Sequence, residues 1–189
     1  MKTICTWIII ILVVIVGGFF ALNSYIYQEK QGEGLPQDFK EATFTVSGEP
    51  VTLKDGVAKA YTSLGGASET TIRYFGNELV HDVDGDGQED TVFLVSQETG
   101  GSGTFFYAVA ALKRGSGYIG SQAVLLGDRI APQTTEKADG RTIVINYMER
   151  APGEPMTTQP SVGKSLYLLL DTDSLQFGEL VQNFEGESR

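Results

Sequence analysis

The stretch "DTVFLVSQETGGSGTFFYAVAALK", from Asp90 to Lys113, decides the fold of this chain. It contains two apolar runs of strand length, rich in Val, Thr, Phe and Tyr, on either side of the turn residues Gly100 to Gly103. "TVFLV" and "FFYAVAAL" place apolar residues at consecutive positions, which is typical of strands that are buried on both faces. We therefore predict a hairpin of two strands in the middle of a sheet.

Further runs of strand length surround this hairpin from about residue 40 onward: "ATFTVSG", "PVTLKDGVAKA", "TTIRYFG", "AVLLGDRI", "RTIVINYMER", "KSLYLLLD" and "LQFGELVQ". Glycine-bearing turns separate them, including Asp55-Gly56, and Asp139-Gly140 is placed to close a hairpin into "RTIVINY". No run has a helical period over twelve residues, although "GVAKAYTSL" could form a short helix. The pattern predicts one all-β domain over residues 40–189, either an antiparallel β-sandwich or a barrel-like fold.

The N-terminal region is apolar. Residues 7–27 carry no charge over 21 positions, which as a helix is long enough to cross the roughly 30 Å hydrocarbon core of a bilayer. Aromatic side chains flank the run, as at membrane interfaces. We predict a transmembrane anchor at 7–27, a short cytoplasmic N-terminus at 1–6 and a linker at 28–39. A cleaved signal peptide is the alternative, although "GGFFALNS" offers poor cleavage positions.

The predicted anchor also sets the expected location. Lys2 and the amino terminus favour an N-terminus inside the cell, and Lys30 beyond the apolar run opposes this only weakly. We therefore expect a single-pass protein of the cell membrane, with the bilayer as a partner and the C-terminal domain outside the cytoplasm. Cys5 precedes the apolar run, so the outer domain contains no disulfide bond. The formal net charge of −10 repels phosphates and disfavours nucleic-acid binding.

The stretch "DVDGDGQED" predicts a metal site. Counted from Asp82, carboxylates occupy positions 1, 3, 5 and 9, where the others are Asp84, Asp86 and Asp90. Gly87 at position 6 permits a sharp turn, and Gln88 at position 7 can offer its main-chain carbonyl. Calcium prefers such a set of oxygen ligands, and four carboxylates this close repel one another unless a cation neutralises them. We predict a calcium ion bound by Asp82, Asp84, Asp86, Gln88 and Asp90.

This loop differs from the helix–loop–helix calcium motif at position 12, where Phe93 replaces the bidentate Glu. It is instead similar to the DxDxDGxxD loops between β-strands in integrin-type FG-GAP repeats, which implies a closing role for Asp90. A solvated acidic turn is the alternative interpretation. Magnesium is a poorer fit because it prefers fewer protein ligands and a stricter octahedron.

Other patterns in the sequence carry weaker indications of chemistry. "GSGYIG" matches GxGxxG, but a dinucleotide site needs a strand before it and a helix after it, whereas "SQAVLL" continues as strand. His81 is the only histidine and adjoins the acidic loop, where a polar flanking role is expected rather than catalysis. Asp128, Glu149 and Glu154 could meet in space as a carboxylate pair for glycoside hydrolysis, but their spacing does not indicate it.

The longest irregular stretch is "ERAPGEPMTTQPSVGK", from Glu149 to Lys164. Long loops inside compact domains are uncommon and often functional. This stretch is the candidate contact surface for an envelope protein or glycan, and a disordered surface loop is the alternative.

Several segments together resemble a family of uncharacterised bacterial envelope proteins: "RYFGNE", "DVDGDGQEDTVFLVSQETGGSGTFFYAVAAL", "LLGDRIAPQTTE", "GEPMTTQPSVGKS" and "LQFGELVQNFEGE". The resemblance covers roughly Ile72 to Glu187. Members look like N-terminally anchored or exported proteins, and some continue after the segment matching "NFEGE" into a META-type domain similar to heat-shock lipoproteins. The resemblance implies an envelope location and a calcium loop, and it implies no known activity.

These observations favour a membrane-anchored, extracytoplasmic, calcium-binding module with a binding or structural role and no catalysis. An envelope hydrolase that acts on glycans or peptides with carboxylate chemistry is one alternative. An inhibitor of a basic lytic enzyme is another, and net charge alone supports it.

Overall fold

A computed structural model describes residues 12–23, 34–61 and 69–181 of the chain. Residues 12–23 form an α-helix and Phe39–Glu41 a single 3-10 turn. Within the described residues there are twelve strands: β1 (Thr43–Val46), β2 (Glu49–Thr52), β3 (Val57–Tyr61), β4 (Glu69–His81), β5 (Asp90–Glu98), β6 (Thr104–Arg114), β7 (Gly117–Gly120), β8 (Val124–Asp128), β9 (Ala131–Lys137), β10 (Ile143–Glu149), β11 (Val162–Asp171) and β12 (Gln176–Glu179).

The strands form three sheets, and the pairs of neighbouring strands are antiparallel. The central sheet has the order β3-β4-β5-β6-β7, and β8 pairs with the other end of β6, so that the sheet curls. A four-stranded sheet has the order β12-β11-β10-β9, and β1 and β2 form a hairpin. The prediction of an all-β, antiparallel domain is confirmed.

Strands β5 and β6 form the predicted hairpin in the middle of the central sheet. Their register runs from Thr91 opposite Ala111 to Glu98 opposite Thr104, across the glycine-rich turn. Both strands are buried over most of their length, as the continuous apolar runs predict. Because successive side chains point to opposite faces of a strand, this hairpin supplies two cores at once.

One core lies between the hairpin and the four-stranded sheet. It contains Val92, Leu94, Phe106, Ala108, Ala110 and Leu112 from the hairpin, packed with Ile143, Ile145, Leu166, Leu168 and Leu170 from β10 and β11. The second core lies on the opposite face, where Phe93, Val95, Tyr107, Val109 and Ala111 pack against Ala42, Phe44, Val46 and Leu53. The central sheet is therefore the middle of three layers.

The glycines of "GSGYIG" serve close packing. Gly117 and Gly120 begin and end β7. A Cβ atom on Gly117 would lie 2.4 Å from Cβ of Leu35, and one on Gly120 would lie 2.2 Å from the carbonyl oxygen of Thr43. Such distances exclude a side chain, so Gly117 allows close contact with Leu35 and Gly120 lets β7 approach β1. The segment is a two-residue turn followed by β7, and the strand-to-helix turn of a dinucleotide site is not formed here.

One predicted turn is confirmed, and two other sequence predictions need correction. The turn predicted at Asp55-Gly56 is confirmed: paired backbone bonds between Lys54 and Val57 close it, and it divides "PVTLKDGVAKA" into two strands. The short helix in "GVAKAYTSL" is wrong over Val57–Tyr61, which is β3, and residues 62–64 lie outside the described chain. Strand β9 was missed because "APQTTEK" is polar; as an edge strand it has no fully buried residue.

The predicted anchor at 7–27 falls partly outside the described chain. Residues 12–23 are helical and exposed, and among the described residues no helix is long and apolar enough to cross a membrane. Residues 7–11 and 24–27 of the anchor, and 28–33 of the predicted linker, are not among the described residues. The end of that linker lies against the domain, since the N–H of Tyr118 donates to the carbonyl of Pro36 at 2.9 Å.

Candidate metal-binding loop

The predicted metal loop connects β4 to β5. His81, the last residue of β4, pairs with Asp90, the first residue of β5, so the loop leaves and re-enters the central sheet at adjacent positions. Asp82, Asp84 and Asp86 converge within it: one carboxylate oxygen from each lies within 4.8 Å of the others. Three hard oxygen ligands at this separation can hold a metal ion.

Asp82 is held by the turn that it begins. Its Oδ1 accepts a hydrogen bond from the backbone N–H of Gly85 at 2.7 Å, and its Oδ2 accepts one from that of Gly87 at 3.0 Å. Both glycines have left-handed backbones, with φ values of +82° and +86°. L side chains are strained in this region, so the prediction that Gly87 permits the sharp turn is confirmed.

Asp84 and Asp86 each bind the backbone of the loop through one oxygen. Oδ1 of Asp84 accepts from the N–H of Asp86 at 3.1 Å, and Oδ1 of Asp86 accepts from that of Gln88 at 2.7 Å. Their other oxygens meet Arg114, at 2.5 Å from Oδ2 of Asp84 and 3.1 Å from Oδ2 of Asp86. Since the Asp84 side chain is only 2% exposed, its charge needs such a partner.

Asp90 lies outside the group of three and is fully buried. Its Oδ2 accepts from the backbone N–H of Val83 at 3.0 Å, and its Oδ1 accepts from that of Lys113 at 2.8 Å. Burial raises the pKa of Asp90 to about 6, against the lowering effect of these two hydrogen bonds. The carboxylate therefore ties the loop to β6.

Metal coordination by Asp90 and by Gln88 stays a prediction. The side-chain amide of Gln88 donates to Asp86 at 3.0 Å.

The β9–β10 hairpin braces the loop from the side. Nη1 of Arg141 donates to the main-chain carbonyls of Val83 at 3.3 Å and Asp84 at 3.0 Å. Nε2 of His81 lies 3.0 Å from the carbonyl oxygen of Gly140, which can only accept, so this nitrogen carries the proton. His81 thus links the end of β4 to the hairpin, consistent with a polar flanking role.

Arg114 and Arg141 are the residues that sequence reasoning missed. Arg114 lies 30 residues from Asp84 along the chain, and Arg141 lies 57 residues away. Their approach to the loop depends on the strand register and on packing between sheets. No local sequence pattern carries that information.

A second acidic region surrounds a cavity of about 270 Å³, lined in part by Asp128, Glu149 and Glu154. These carboxylates do gather, but each has its own partner. Asp128 pairs with Arg129 at 2.8 Å, Glu149 lies 3.7 Å from Lys164, and Glu154 accepts from a backbone N–H of its own loop at 2.9 Å. The bond to Arg129 lowers the pKa of Asp128, whereas a carboxyl that acts as a general acid needs a raised pKa.

The predicted irregular stretch 149–164 is shorter in the structure. Glu149 ends β10 and Val162 begins β11, so residues 150–161 form the loop. Arg150 fixes its start: Nη1 donates to the carbonyl of Arg129 at 2.8 Å and Nε to that of Thr158 at 2.5 Å. Farther along the loop, Met156 is 52% exposed.

Comparisons with family models, curated proteins and solved structures gave no match to this chain. The site must therefore be interpreted from its own chemistry.

Proposed function

We propose that this protein is a membrane-anchored, extracytoplasmic module of the bacterial cell envelope that binds calcium and has a non-catalytic, binding or structural role. The observation that carries the proposal is the convergence of Asp82, Asp84 and Asp86 within 4.8 Å in a loop whose glycines and backbone N–H groups hold them there.

Calcium is the cation that this arrangement suits best. It takes roughly six to eight oxygen ligands at about 2.3–2.6 Å and tolerates irregular geometry, whereas magnesium demands an octahedron. The three aspartates supply carboxylate oxygens. The proposed remaining protein ligands are the main-chain carbonyl of Gln88 and the carboxylate of Asp90.

The proposed role of the ion is to stabilise the folded domain. Loops of extracellular modules bind calcium with dissociation constants on the order of 10⁻⁴–10⁻³ M, and calcium is often abundant outside the cytoplasm. An ion that binds only the folded form raises the unfolding free energy, and the gain grows with the logarithm of the ratio of free calcium to the dissociation constant once the site is filled. The loop joins two neighbouring strands of the central sheet, so closure of the loop is coupled to that sheet.

The proposed location rests on the uncharged run at 7–27 and on the resemblance to anchored envelope proteins. The bilayer is then one partner. The loop within 149–164, with the exposed Met156, is the proposed contact for an envelope protein or glycan.

The two alternatives have less support. A hydrolase with carboxylate catalysis needs a carboxyl of raised pKa in its cleft, and the pKa of Asp128 is shifted in the opposite direction. Inhibition of a basic lytic enzyme still draws only on the net charge of −10.

The test is calorimetric titration of calcium into the full chain, purified in detergent and stripped with a chelator, together with thermal melts. We expect heat of binding and, at about one hundred times the dissociation constant, a gain of roughly 2.7 kcal/mol in unfolding free energy. Asp84→Asn should lose both effects. Asp173→Asn, at an exposed aspartate in the turn before β12, is the matched control and should keep them. Absence of binding up to several millimolar calcium would show that "DVDGDGQED" is an acidic turn.

A further inference from the structure

Arg114 already supplies positive charge to the metal loop. It is the last residue of β6, and its side chain is 19% exposed. Nη2 lies 2.5 Å from Oδ2 of Asp84, and Nη1 lies 3.1 Å from Oδ2 of Asp86 and donates to the carbonyl of Lys113 at 2.7 Å. Both Nη atoms of the guanidinium are thus held by hydrogen bonds.

The carboxylate oxygens that Arg114 contacts belong to side chains that are proposed to bind the metal ion. Backbone N–H groups of the loop donate hydrogen bonds to Oδ1 of Asp84 and to Oδ1 of Asp86. Arg114 donates to the Oδ2 atoms of both aspartates, which accept no hydrogen bond from the backbone. Among the described residues, Asp82 has no ion-pair partner, because both of its oxygens face backbone N–H groups. Arg114 is therefore placed on two of the three carboxylates that would bind the ion.

We propose that Arg114 is an internal counter-cation that keeps this loop closed without metal, and that a divalent ion must loosen these ion pairs in order to bind. The first half of the proposal stands on the geometry of Arg114 alone. The second half rests on the proposed metal site. The physical reason is that a divalent ion and a guanidinium on the same carboxylates repel each other and compete for the same oxygens.

This arrangement changes how the site responds to calcium. Three carboxylates without any cation would push the loop open, so binding and loop closure would occur together. With Arg114 in place, the loop is closed in both states, and the ion exchanges with a protein side chain. Affinity for the ion is lowered, so half-occupancy of the site requires a higher calcium concentration.

The test compares Arg114→Gln with Arg129→Gln in the full chain. Arg129 pairs with Asp128 in the other acidic region and is similarly exposed, which makes it the matched control. In chelator, Arg114→Gln should lower Tm by about 4 °C more than the control. With calcium, Arg114→Gln should bind roughly tenfold tighter than the unmodified chain and should recover its Tm, while the control binds unchanged.

The outcomes separate the two proposals. If the unmodified chain and Arg114→Gln bind calcium equally, competition by Arg114 is wrong and the metal site stands. If neither binds calcium, the metal site is wrong, and the melts in chelator still test the counter-cation. Equal Tm for the two variants in chelator would overturn the counter-cation. If Arg114→Gln fails to fold, Arg114→Lys replaces it: the retained charge keeps the chain folded, and loss of the fork should still tighten calcium binding.

Discussion

The two acidic regions contain similar residues and differ in how their charges are compensated. In the loop after β4, Asp82, Asp84 and Asp86 converge within 4.8 Å, and a single guanidinium pairs with two of them, Asp84 and Asp86. In the cavity beside the 150–161 loop, Asp128 and Glu149 each have a basic partner of their own.

This difference shows that the number of carboxylates does not identify a cation site. Individually paired carboxylates have little remaining attraction for a metal, because their charge is already compensated. Converging carboxylates leave negative charge uncompensated at one point, which is what a divalent ion binds. Mutations in the two regions should therefore differ in their effects on stability and on calcium binding.

The largest expected effect concerns carboxylates that bind the backbone. Asp90→Ala should destabilise the domain by about 2–4 kcal/mol, because it leaves two N–H groups, those of Val83 and Lys113, without their acceptor in a buried site. Glu154→Ala in the second region removes one acceptor from a loop that water reaches, and should cost less than about 1 kcal/mol. Chemical denaturation in chelator measures both, and equal losses would contradict the comparison.

A smaller effect is expected at the turn glycines. Gly87 and Gly153 have nearly equal φ values, +86° and +87°, and a methyl group added at either position would meet no other atom within 4 Å. Alanine should therefore cost about 1 kcal/mol at either position when metal is removed, because of the left-handed backbone alone. The two variants should differ in calcium binding: Gly87→Ala should weaken it, whereas Gly153→Ala should not. Titration of both variants checks this, with Gly101→Ala, which has no left-handed φ, as the control.

The smallest change in unfolding free energy is expected at the partly exposed Asp128, whose pH dependence is opposite to that of Asp90. The pKa of Asp128 is lowered by Arg129, so its contribution is present above the unfolded pKa near 4 and is lost as the pH falls. Because this pair is partly exposed, Asp128→Asn should cost less than about 1 kcal/mol at pH 7, and the difference should shrink as the pH falls below about 4. The pKa of Asp90 is raised to about 6, so its contribution has the opposite sign and declines as the pH rises from about 4 to 6. Thermal melts in chelator from pH 3 to 7 measure both trends.

The sequence predicts the part of this molecule that depends on local pattern. Continuous apolar runs identify β5 and β6 as central strands, and the spacing of Asp82, Asp84 and Asp86 identifies three carboxylates that converge. The turn at Gly87 follows from the need for a left-handed residue at that position.

The rest depends on contacts between distant segments. Strand β9 is polar because an edge strand needs little apolar surface, so no hydrophobic pattern marks it. The hydrogen bond from Lys113 to Asp90 follows from the pairing of β5 with β6, which places the end of β6 beside the loop. The ion pairs of Arg114 depend on the same pairing. Side-chain composition alone does not specify such a register.

The double-sided burial of the β5–β6 hairpin has a consequence for biosynthesis. A chain emerges from the ribosome N-terminus first. Residues 42–53, which cover one face of the hairpin, are made before it, whereas β10 and β11, which cover the other face, are made after it. Once β5 and β6 have left the ribosome and β10 and β11 have not, Val92, Leu94 and Leu112 therefore lack the strands that cover them. Until β10 and β11 follow, this half-covered sheet is a surface that chaperones can bind and on which other nascent chains can aggregate.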